Sequence, residues 1–266
     1  MWASNYLETA IINLMRGTAL AKPANGLYVG LFLTDPTDSG TEGTEVNYSG
    51  YARMPVTFQM DGNSAISNSA AITFAEAGAS VGSPVTHIGI FDSLTGTSGS
   101  THMWLYGQLV SSLNIQANVA PIFRAGSIKW TMSGNISSEY KTNILQVIRG
   151  YNSSVSAFTP YIGLCNGDPN SGGSEFIGND YARIAVTFDS PSTDSDAATA
   201  TTTSNTTDIS SPNPAAGYWG VLNYAGIYTA SSGGSLFASV PLGTSYTMNE
   251  GSVAGFREGQ LTFSVN

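Results

Sequence analysis

The residues that could carry out chemistry are few, and they lie far apart in the sequence. His87 and His102 are the only histidines, and Cys165 is the only cysteine. A Ser-His-Asp hydrolase usually presents its serine on a sharp turn, and the sequence has no such nucleophile pattern. Two histidines and one cysteine without close pairing also fall short of a zinc site. We therefore predict that the protein is not an enzyme, that the histidines are ordinary surface or strand residues, and that Cys165 is a buried apolar side chain.

An acidic loop is the better candidate for a binding site. Four carboxylates, those of Asp35, Asp38, Glu42 and Glu45, lie within eleven residues. Loops rich in oxygen atoms can bind calcium, although this spacing differs from that of an EF-hand. The other interpretation is a solvated turn, because Asp-Pro often begins a loop. We expect no cofactor, and calcium in the acidic loops is the alternative left open.

These residues belong to a repeat, because the sequence contains one module twice. The repeated segments are 11–17 and 144–150, 27–36 and 160–169, 51–58 and 181–188, 87–91 and 224–228, and 123–130 and 256–263. The offset between the copies is 133 residues at both ends of the repeat. Two copies in series predict two similar domains, whereas a solenoid generally needs three or more units. We place the domains at residues 1–134 and 135–266.

Each copy is predicted to begin with one short helix. Ser4-Asn5 and Ser137-Ser138 provide side-chain oxygens that can cap a helix N-terminus. Apolar residues then recur at i, i+3 and i+4, which is typical of one apolar helix face. Gly17 and Gly150 lie where the helices are expected to end, because glycine readily adopts the left-handed conformation.

The rest of each copy is predicted to consist of β-strands separated by turns rich in Gly, Ser, Asn, Asp and Pro. The expected strands lie near 27–34, 51–58, 65–74, 85–92, 103–109 and 126–133, and near 160–166, 181–188, 199–209, 221–229, 235–241 and 259–265. This pattern predicts a mainly all-β fold of two tandem β-sandwich domains, each preceded by one short α-helix. The polar segment 189–203 is longer than its counterpart, and we expect it to form an extended hairpin or a mobile loop.

All six arginines occupy paired positions in the two copies, and two acids recur as well. The arginine pairs are Arg16 with Arg149, Arg53 with Arg183 and Arg124 with Arg257, and the acid pairs are Asp35 with Asp168 and Glu45 with Glu175. Arginine has five donors in a planar fork, which suits fixed carboxylate or carbonyl partners. We hypothesise that Arg53 and Arg183 hold the Asp-Pro loop of their own domain through these acids. The ten residues are candidate structural or interface residues. For Arg53 and Arg183, the two interpretations are a partly buried structural salt bridge and a role in binding a partner.

The balance of charge limits the possible partners. The chain has 18 acidic and 9 basic residues, which gives a net charge of −9. Binding to phosphates needs a basic surface, so we expect no nucleic-acid partner. No segment is long and apolar enough to span a membrane, and the N-terminus lacks the pattern of a secretory signal. We therefore expect no membrane partner.

In combination, the motifs resemble a family of tailed-bacteriophage virion proteins that are labelled tail-fibre or minor structural proteins. The resemblance rests on the strand Leu27 to Phe32 followed by Asp35-Pro36, on Gly50 to Phe58, and on Val85 to Asp92. The first copy matches over its whole length, and the second departs after Phe188. Members of this family usually carry one copy, so the tandem duplication is a departure.

The resemblance implies a non-enzymatic structural protein of the virion that is made in the host cytoplasm. Such a protein would attach to the tail as a fibre-like component, or to the capsid surface as a decoration protein. Its partners would be other virion proteins. Because virion components assemble with closed symmetry, we also expect a homo-oligomer.

A carbohydrate-binding module that recognises a host receptor is the alternative function. It would use exposed aromatic side chains such as those of Trp104, Tyr218 and Trp219 as stacking platforms. The two tryptophans lie in or next to predicted strands, where a position in the core or at an edge is the other interpretation. A glycan depolymerase is a third possibility, but it would need paired catalytic carboxylates on a fixed framework that the sequence does not show.

Overall fold

The computed structural model describes residues 1–96, 101–193, 200–213 and 215–265. Strands predominate in this part of the chain, and each copy begins with one short α-helix. The prediction of a mainly all-β fold with a helix at the start of each copy is therefore confirmed. Among the described residues, no helix has the length and apolar character needed to cross a membrane.

The two helices begin and end where the sequence predicts. Their bounds are Asn5–Asn13 for α1, which continues as a 3₁₀ turn at Leu14–Arg16, and Ser138–Ile148 for α2. The side-chain oxygens of Ser4 and Ser137 each accept a hydrogen bond from the backbone N–H three residues further on. Gly17 and Gly150 then adopt positive φ angles of 89° and 76°, which ends each helical segment.

The first copy contains one larger sheet and two smaller ones. Its strands are β1 (Trp2–Ala3), β2 (Leu20–Ala21), β3 (Leu27–Phe32), β4 (Met54–Val56), β5 (Phe58–Met60), β6 (Ala65–Asn68), β7 (Ile72–Thr73), β8 (Val85–Phe91), β9 (Met103–Leu113), β10 (Ile122–Phe123) and β11 (Lys129–Thr131). The larger sheet is antiparallel with the order β1-β9-β8-β3-β4. The smaller sheets have the order β11-β6-β5 and β10-β7.

The second copy repeats this plan with small changes. Its strands are β12 (Ser154–Val155), β13 (Tyr161–Cys165), β14 (Ile184–Ala185), β15 (Thr201–Ser204), β16 (Ile209–Ser210), β17 (Gly220–Tyr228), β18 (Leu236–Met248), β19 (Gly255–Phe256) and β20 (Thr262–Val265). The larger sheet has the order β14-β13-β17-β18, while β15 pairs with β20 and β16 with β19. A bridge between Ile136 and Ala238 occupies the place that β1 has in the first copy.

One predicted strand belongs to two sheets. The segment 51–58 contains β4, which pairs with β3 in the larger sheet, and the chain then enters β5, which pairs with β6 in the smaller sheet. The change occurs at Thr57, whose side chain is exposed while Val56 and Phe58 on either side are buried. The sequence pattern shows a continuous apolar alternation here, and it contains no signal for the change of partner.

A second predicted strand, 65–74, is also divided, into β6 and β7. The division follows Asn68, whose side-chain amide donates to the carbonyl oxygen of Ala70 (2.8 Å). In the second copy, the described ends of the longer segment form an antiparallel hairpin, with bridges from Phe188 to Asn205 and from Ser192 to Thr202. The predicted tip of this hairpin, residues 194–199, lies outside the described residues.

Most buried apolar side chains of both copies form one continuous core, and Phe32, Phe91, Met103 and Tyr106 form a second, smaller cluster. Helix α1 contacts β9 of its own copy and also β15 and β20 of the second copy. Strand β2 of the first copy pairs with β12 of the second. The two copies are therefore packed against each other, and the boundary between residues 134 and 135 stays a prediction.

Candidate functional site

The first arginine cluster consists of Glu45, Tyr51, Arg53 and Phe91. Arg53 donates from Nε to Oε1 of Glu45 (2.9 Å) and from Nη2 to Oε2 (2.8 Å), so the pair is bidentate. Its guanidinium carbon lies 3.6 Å from the centre of the Phe91 ring. The hydroxyl of Tyr51 donates a further hydrogen bond to Oε1 of Glu45 (2.9 Å). Charge-assisted bidentate pairs of this kind are among the strongest polar contacts in proteins.

The same guanidinium also reaches the turn that follows β8. Nη1 of Arg53 donates to the carbonyl oxygens of Ser93 (3.3 Å) and Gly96 (3.0 Å). Arg53 thereby joins three segments, namely the acidic loop that contains Glu45, the start of β4 and the turn after β8. Its side chain is only 4% exposed, so it needs these partners to offset the loss of hydration.

The second arginine cluster, formed by Glu175, Tyr181, Arg183 and Tyr228, has the same geometry. Arg183 donates to both carboxylate oxygens of Glu175 at 2.7 Å, and Tyr181 donates to Oε1 at 2.8 Å. Nη1 of Arg183 donates to two carbonyl oxygens in the turn 230–233, at 2.7 and 2.6 Å. The guanidinium carbon lies 3.6 Å from the centre of the Tyr228 ring.

Paired glycines make room for the clusters. Gly30 in β3 lies opposite Gly89 in β8. A Cβ atom at Gly30 would lie 2.8 Å from Oε1 of Glu45, and one at Gly89 would lie 2.5 Å from the Phe91 ring. The second copy has the same crowding around Gly163. The repeated glycines are therefore required by the close approach of the cluster to the sheet.

The tyrosine hydroxyls of the clusters serve as fixed donors. Burial, followed by the nearby Glu45 carboxylate, raises the pKa of Tyr51, and its oxygen also accepts a hydrogen bond from the backbone N–H of Leu31 (2.9 Å). Burial likewise raises the pKa of Tyr181. Neither hydroxyl can act as a proton acceptor near neutral pH. Both hydroxyls therefore stay protonated and donate to the glutamate of their cluster.

The recurring aspartates have other partners. Oδ1 of Asp35 accepts from the backbone N–H of Thr37 (2.9 Å), and Oδ2 lies 3.6 Å from Nε2 of His87. Oδ1 of Asp168 accepts from the hydroxyl of Ser239 (2.8 Å), and the same side chain caps the 3₁₀ turn that follows it. The structure thus brings the arginines together with Glu45 and Glu175 and not with the aspartates.

Arg16 and Arg149 each contact the opposite copy. Arg16 donates from Nε to the carbonyl oxygen of Phe188 (3.3 Å) and from Nη2 to the hydroxyl of Ser190 (3.0 Å). Arg149 donates from Nε to the carbonyl oxygen of Phe58 (3.4 Å). This pair therefore lies at the contact between the copies.

Arg124 and Arg257 have exposed side chains. Within the described part of the chain, no hydrogen bond or ion pair holds either guanidinium. Their backbone carbonyl oxygens accept hydrogen bonds from the side-chain amides of Asn68 and Asn205, both at 2.8 Å. The backbone at these arginines is therefore fixed while the charged groups face solvent.

These two asparagines were missed by sequence reasoning. Asn68 and Asn205 are both fully buried, and their Oδ1 atoms accept from the backbone N–H groups of Ile128 (2.8 Å) and Leu261 (2.9 Å). The available signal was the dipeptide Ser-Asn, which recurs at 67–68 and 204–205. A buried polar side chain that satisfies three backbone groups is a strong structural constraint.

The residues that could act as nucleophile or metal ligand are held in structural contacts. Cys165 is buried as predicted, and burial raises the pKa of its thiol to about 11. His102 lies with Nδ1 3.3 Å from Oδ2 of Asp92, an oxygen that also accepts from Nε1 of Trp104 (3.1 Å). Within the described ranges, no three potential metal-binding side chains lie together.

Two of the three predicted stacking residues are buried. Trp104 is 1% exposed, and Trp219 donates from Nε1 to the carbonyl oxygen of Asn179 (2.9 Å) and is 8% exposed. Tyr218 is 60% exposed. The three side chains therefore do not form a shared aromatic platform.

Comparison with known proteins finds one family whose model matches both copies. The model of the family described as podophage GP4 fiber I protein gp80 matches residues 2–131 and, separately, residues 135–264. A search of curated proteins found no match. The two matches confirm both the resemblance to a phage virion protein and the tandem duplication. The chain belongs to the podophage GP4 fiber I protein gp80 family and contains two copies of the family's module.

Proposed function

We propose that this chain is a non-enzymatic structural component of the virion, attached to the phage tail as part of a fibre and bound there to other virion proteins. The observation that carries the proposal is the match of a phage fibre family to both copies along nearly the whole chain. Attachment to the capsid surface as a decoration protein is the other location consistent with a virion component. The proposal includes a homo-oligomeric assembly, because virion components are arranged symmetrically.

The contacts of the recurring carboxylates support a structural role. Glu45 and Glu175 are each paired with an arginine and a tyrosine of the same copy. A glycosidase needs two carboxylates that face a sugar across a cleft, one of them protonated. A carboxylate held on both oxygens by a guanidinium is poorly suited to either task. The clusters therefore support loop fixation over glycan cleavage.

We place the contact to virion partners near Arg124 and Arg257. Both guanidinium groups are exposed, in a chain with a net charge of −9. Exposed apolar side chains lie nearby in the sequence, namely Ile122 at 56% and Val253 at 57% exposure. Arginine beside apolar surface is typical of protein interfaces. Recognition of a host carbohydrate has less support, because Trp104 and Trp219 are buried.

Co-sedimentation tests this proposal. Purified protein is mixed separately with isolated tails, emptied capsids and host cells of the phage, and bound protein is measured against concentration. Saturable binding to tails or capsids is expected. The double variant Arg124→Ala/Arg257→Ala should bind at least tenfold more weakly, since arginine anchors at interfaces each contribute about 1–2 kcal/mol or more.

The control variant Lys22→Ala removes a positive charge at an exposed position elsewhere in the sequence and should bind like the unmodified protein. Binding only to cells would overturn the proposal in favour of receptor recognition. Release of sugar from cell-surface glycans would overturn it in favour of an enzyme.

A further inference from the structure

The contact between β2 and β12 has an unusual symmetry. The two strands pair antiparallel, with Ala21 opposite Ser154 and Leu20 opposite Val155. At the offset of 133 residues, Ser154 is the counterpart of Ala21 in the other copy. Where a residue pairs with its own counterpart in an antiparallel ladder, a local twofold axis passes between the two residues, as in the isologous interface of a symmetric dimer.

The arginines after the two helices obey the same symmetry. Arg16 of the first copy donates to the carbonyl oxygen of Phe188 in the second, and Arg149 of the second donates to the carbonyl oxygen of Phe58 in the first. Phe58 and Phe188 close the same motif in the two copies. The contacts are therefore reciprocal, which is the defining property of an isologous interface.

Two grooves at the contact are also counterparts. One is lined by residues 15–17, 157–160 and 186–188. The other is lined by residues 148–150 and 56–58 together with Pro23, Gly26 and Leu27. The same twofold relation therefore recurs in the strand pairing, in the arginine contacts and in the residues that line the two grooves.

We propose that the two copies form a reciprocal pair related by an approximate twofold axis, in which each copy is the binding partner of the other and the exposed connecting segment 133–135 is not needed to hold them together. The surface that each module buries here thus fits a second copy of the same module. The chain then presents Arg124 and Arg257 as a twofold-related pair of positions. This inference concerns the joint between the copies and does not rest on attachment to the virion.

Cleavage of the connecting segment in the folded full-length protein tests the proposal. A protease site with a flexible spacer is inserted between Ser133 and Gly134, which are exposed and have no role in the strand pairing. After complete cleavage, size-exclusion chromatography with light scattering is expected to find both fragments together at the mass of the intact chain, 27.7 kDa. Fragments that separate at half this mass, or that aggregate, would overturn the proposal.

Two matched variants of the cleavable protein test the interface itself. Arg16→Ala/Arg149→Ala removes the reciprocal hydrogen bonds, and the cleaved fragments should then dissociate at roughly tenfold higher concentration on dilution. Arg124→Ala/Arg257→Ala removes the same number of arginines away from the contact and should leave the dissociation constant unchanged. Equal effects of the two double variants would contradict the proposed interface, and circular dichroism before cleavage verifies that each variant is folded.

Discussion

At the residue scale, the two arginine clusters give a physical reason for the recurrence of arginine, glutamate and tyrosine at matching places. Each guanidinium donates to one carboxylate and two backbone carbonyl oxygens and stacks on an aromatic ring. Lysine would keep the positive charge, but its ammonium group has no planar fork with which to form the bidentate pair and the stack.

We therefore expect Arg53→Lys to loosen the acidic loop. The partly buried Glu45 carboxylate would keep a positive neighbour but lose its bidentate hydrogen bonds, so the free energy of unfolding should fall by about 1–3 kcal/mol. Amide hydrogens in the loop 33–45 and in the turn after β8 should exchange faster. Urea unfolding and hydrogen exchange measured by mass spectrometry check both effects.

The matched control is Arg124→Lys, because Arg124 is exposed and its guanidinium is free within the described structure. This variant should change neither the stability nor the exchange of the loop. Unchanged exchange in Arg53→Lys would show that the cluster does not fix the loop.

A substitution at Gly163 tests whether the close approach of the second arginine cluster to the sheet requires glycine. A Cβ atom there would lie 2.5 Å from the Tyr228 ring and 2.8 Å from Oε1 of Glu175. The ring has little freedom to move because Arg183 stacks on it. We expect Gly163→Ala to lower the free energy of unfolding by about 1–3 kcal/mol through overpacking, as measured by urea unfolding.

Gly82→Ala is the control for this substitution. A Cβ atom at Gly82 would have no atom within 4 Å, so the change in stability should stay within about 0.5 kcal/mol. If both alanine variants had the same stability, the crowding at Gly163 would not be a real constraint.

At the scale of elements, buried asparagines join the loops to the smaller sheets. Asn68→Ala would leave the backbone N–H of Ile128 without its acceptor, and it would remove one of the hydrogen bonds that the carbonyl oxygen of Arg124 accepts. The expected loss is about 2–4 kcal/mol of unfolding free energy, because unsatisfied buried polar groups are costly. Differential scanning calorimetry measures it as a lower Tm. Asn25→Ala, at an exposed position, should leave Tm unchanged, and an equal Tm for both variants would contradict this role of Asn68.

The helices and the arginine–glutamate pairs could be predicted from the sequence because their sequence signals are local or recur in both copies. Ser4 and Gly17 are separated from α1 by few residues, and their roles follow from backbone chemistry alone. Recurrence also suggested Asp35 as a partner of Arg53, but Asp35 recurs for another reason, since its carboxylate accepts from Thr37 in a turn. Recurrence in both copies therefore indicates that a residue is structurally constrained, but it does not show which residue it contacts.

The contacts between the copies could not be predicted from the sequence. The spacing of apolar residues in α1 predicts that one face is buried, but it does not specify which strands cover that face. In the structure, β15 and β20 of the other copy do so in part. The change of sheet at Thr57 could not be predicted for the same reason. An alternation of apolar and polar residues indicates which side chains are buried, but it does not indicate which strand lies next to them.

At the scale of the whole molecule, a buried carboxyl group lies between the copies. Glu8 of α1 is 1% exposed, and it accepts hydrogen bonds from the backbone N–H (3.1 Å) and hydroxyl (2.6 Å) of Thr201 in β15. Burial raises the pKa of Glu8 from 4.5 to about 7, and the nearby Asp38 adds to this effect. Burial also raises the pKa of Asp38 from 3.8 to about 6.

Stability should therefore fall as pH rises. Both folded pKa values lie above the ordinary values, so the stabilisation by the neutral carboxyl groups is complete below pH 4 or so and is lost as pH rises through 6 and 7. Urea unfolding should give a free energy that is lower at pH 8 than at pH 5, with about 2–3 kcal/mol of the difference due to Glu8. Glu8→Gln should remove this part.

Glu42→Gln, in the exposed part of the acidic loop, is the control and should keep the pH profile of the unmodified protein. A free energy of unfolding that rises between pH 5 and pH 8 in the unmodified protein would contradict a raised pKa of Glu8 in the folded protein. Because β15 belongs to the second copy, this pH dependence reports on the contact between the copies.

The central claim for the whole molecule is that this doubled fibre-family module is a built-in part of the phage particle. Immunogold electron microscopy of purified, intact virions tests it most directly, with antibodies raised against the full-length protein. We expect regular labelling at one fixed position on the tail, and a band of the full-length chain when the same particles are analysed by mass spectrometry. Purified virions that carry neither the label nor the chain would contradict a structural role in the virion.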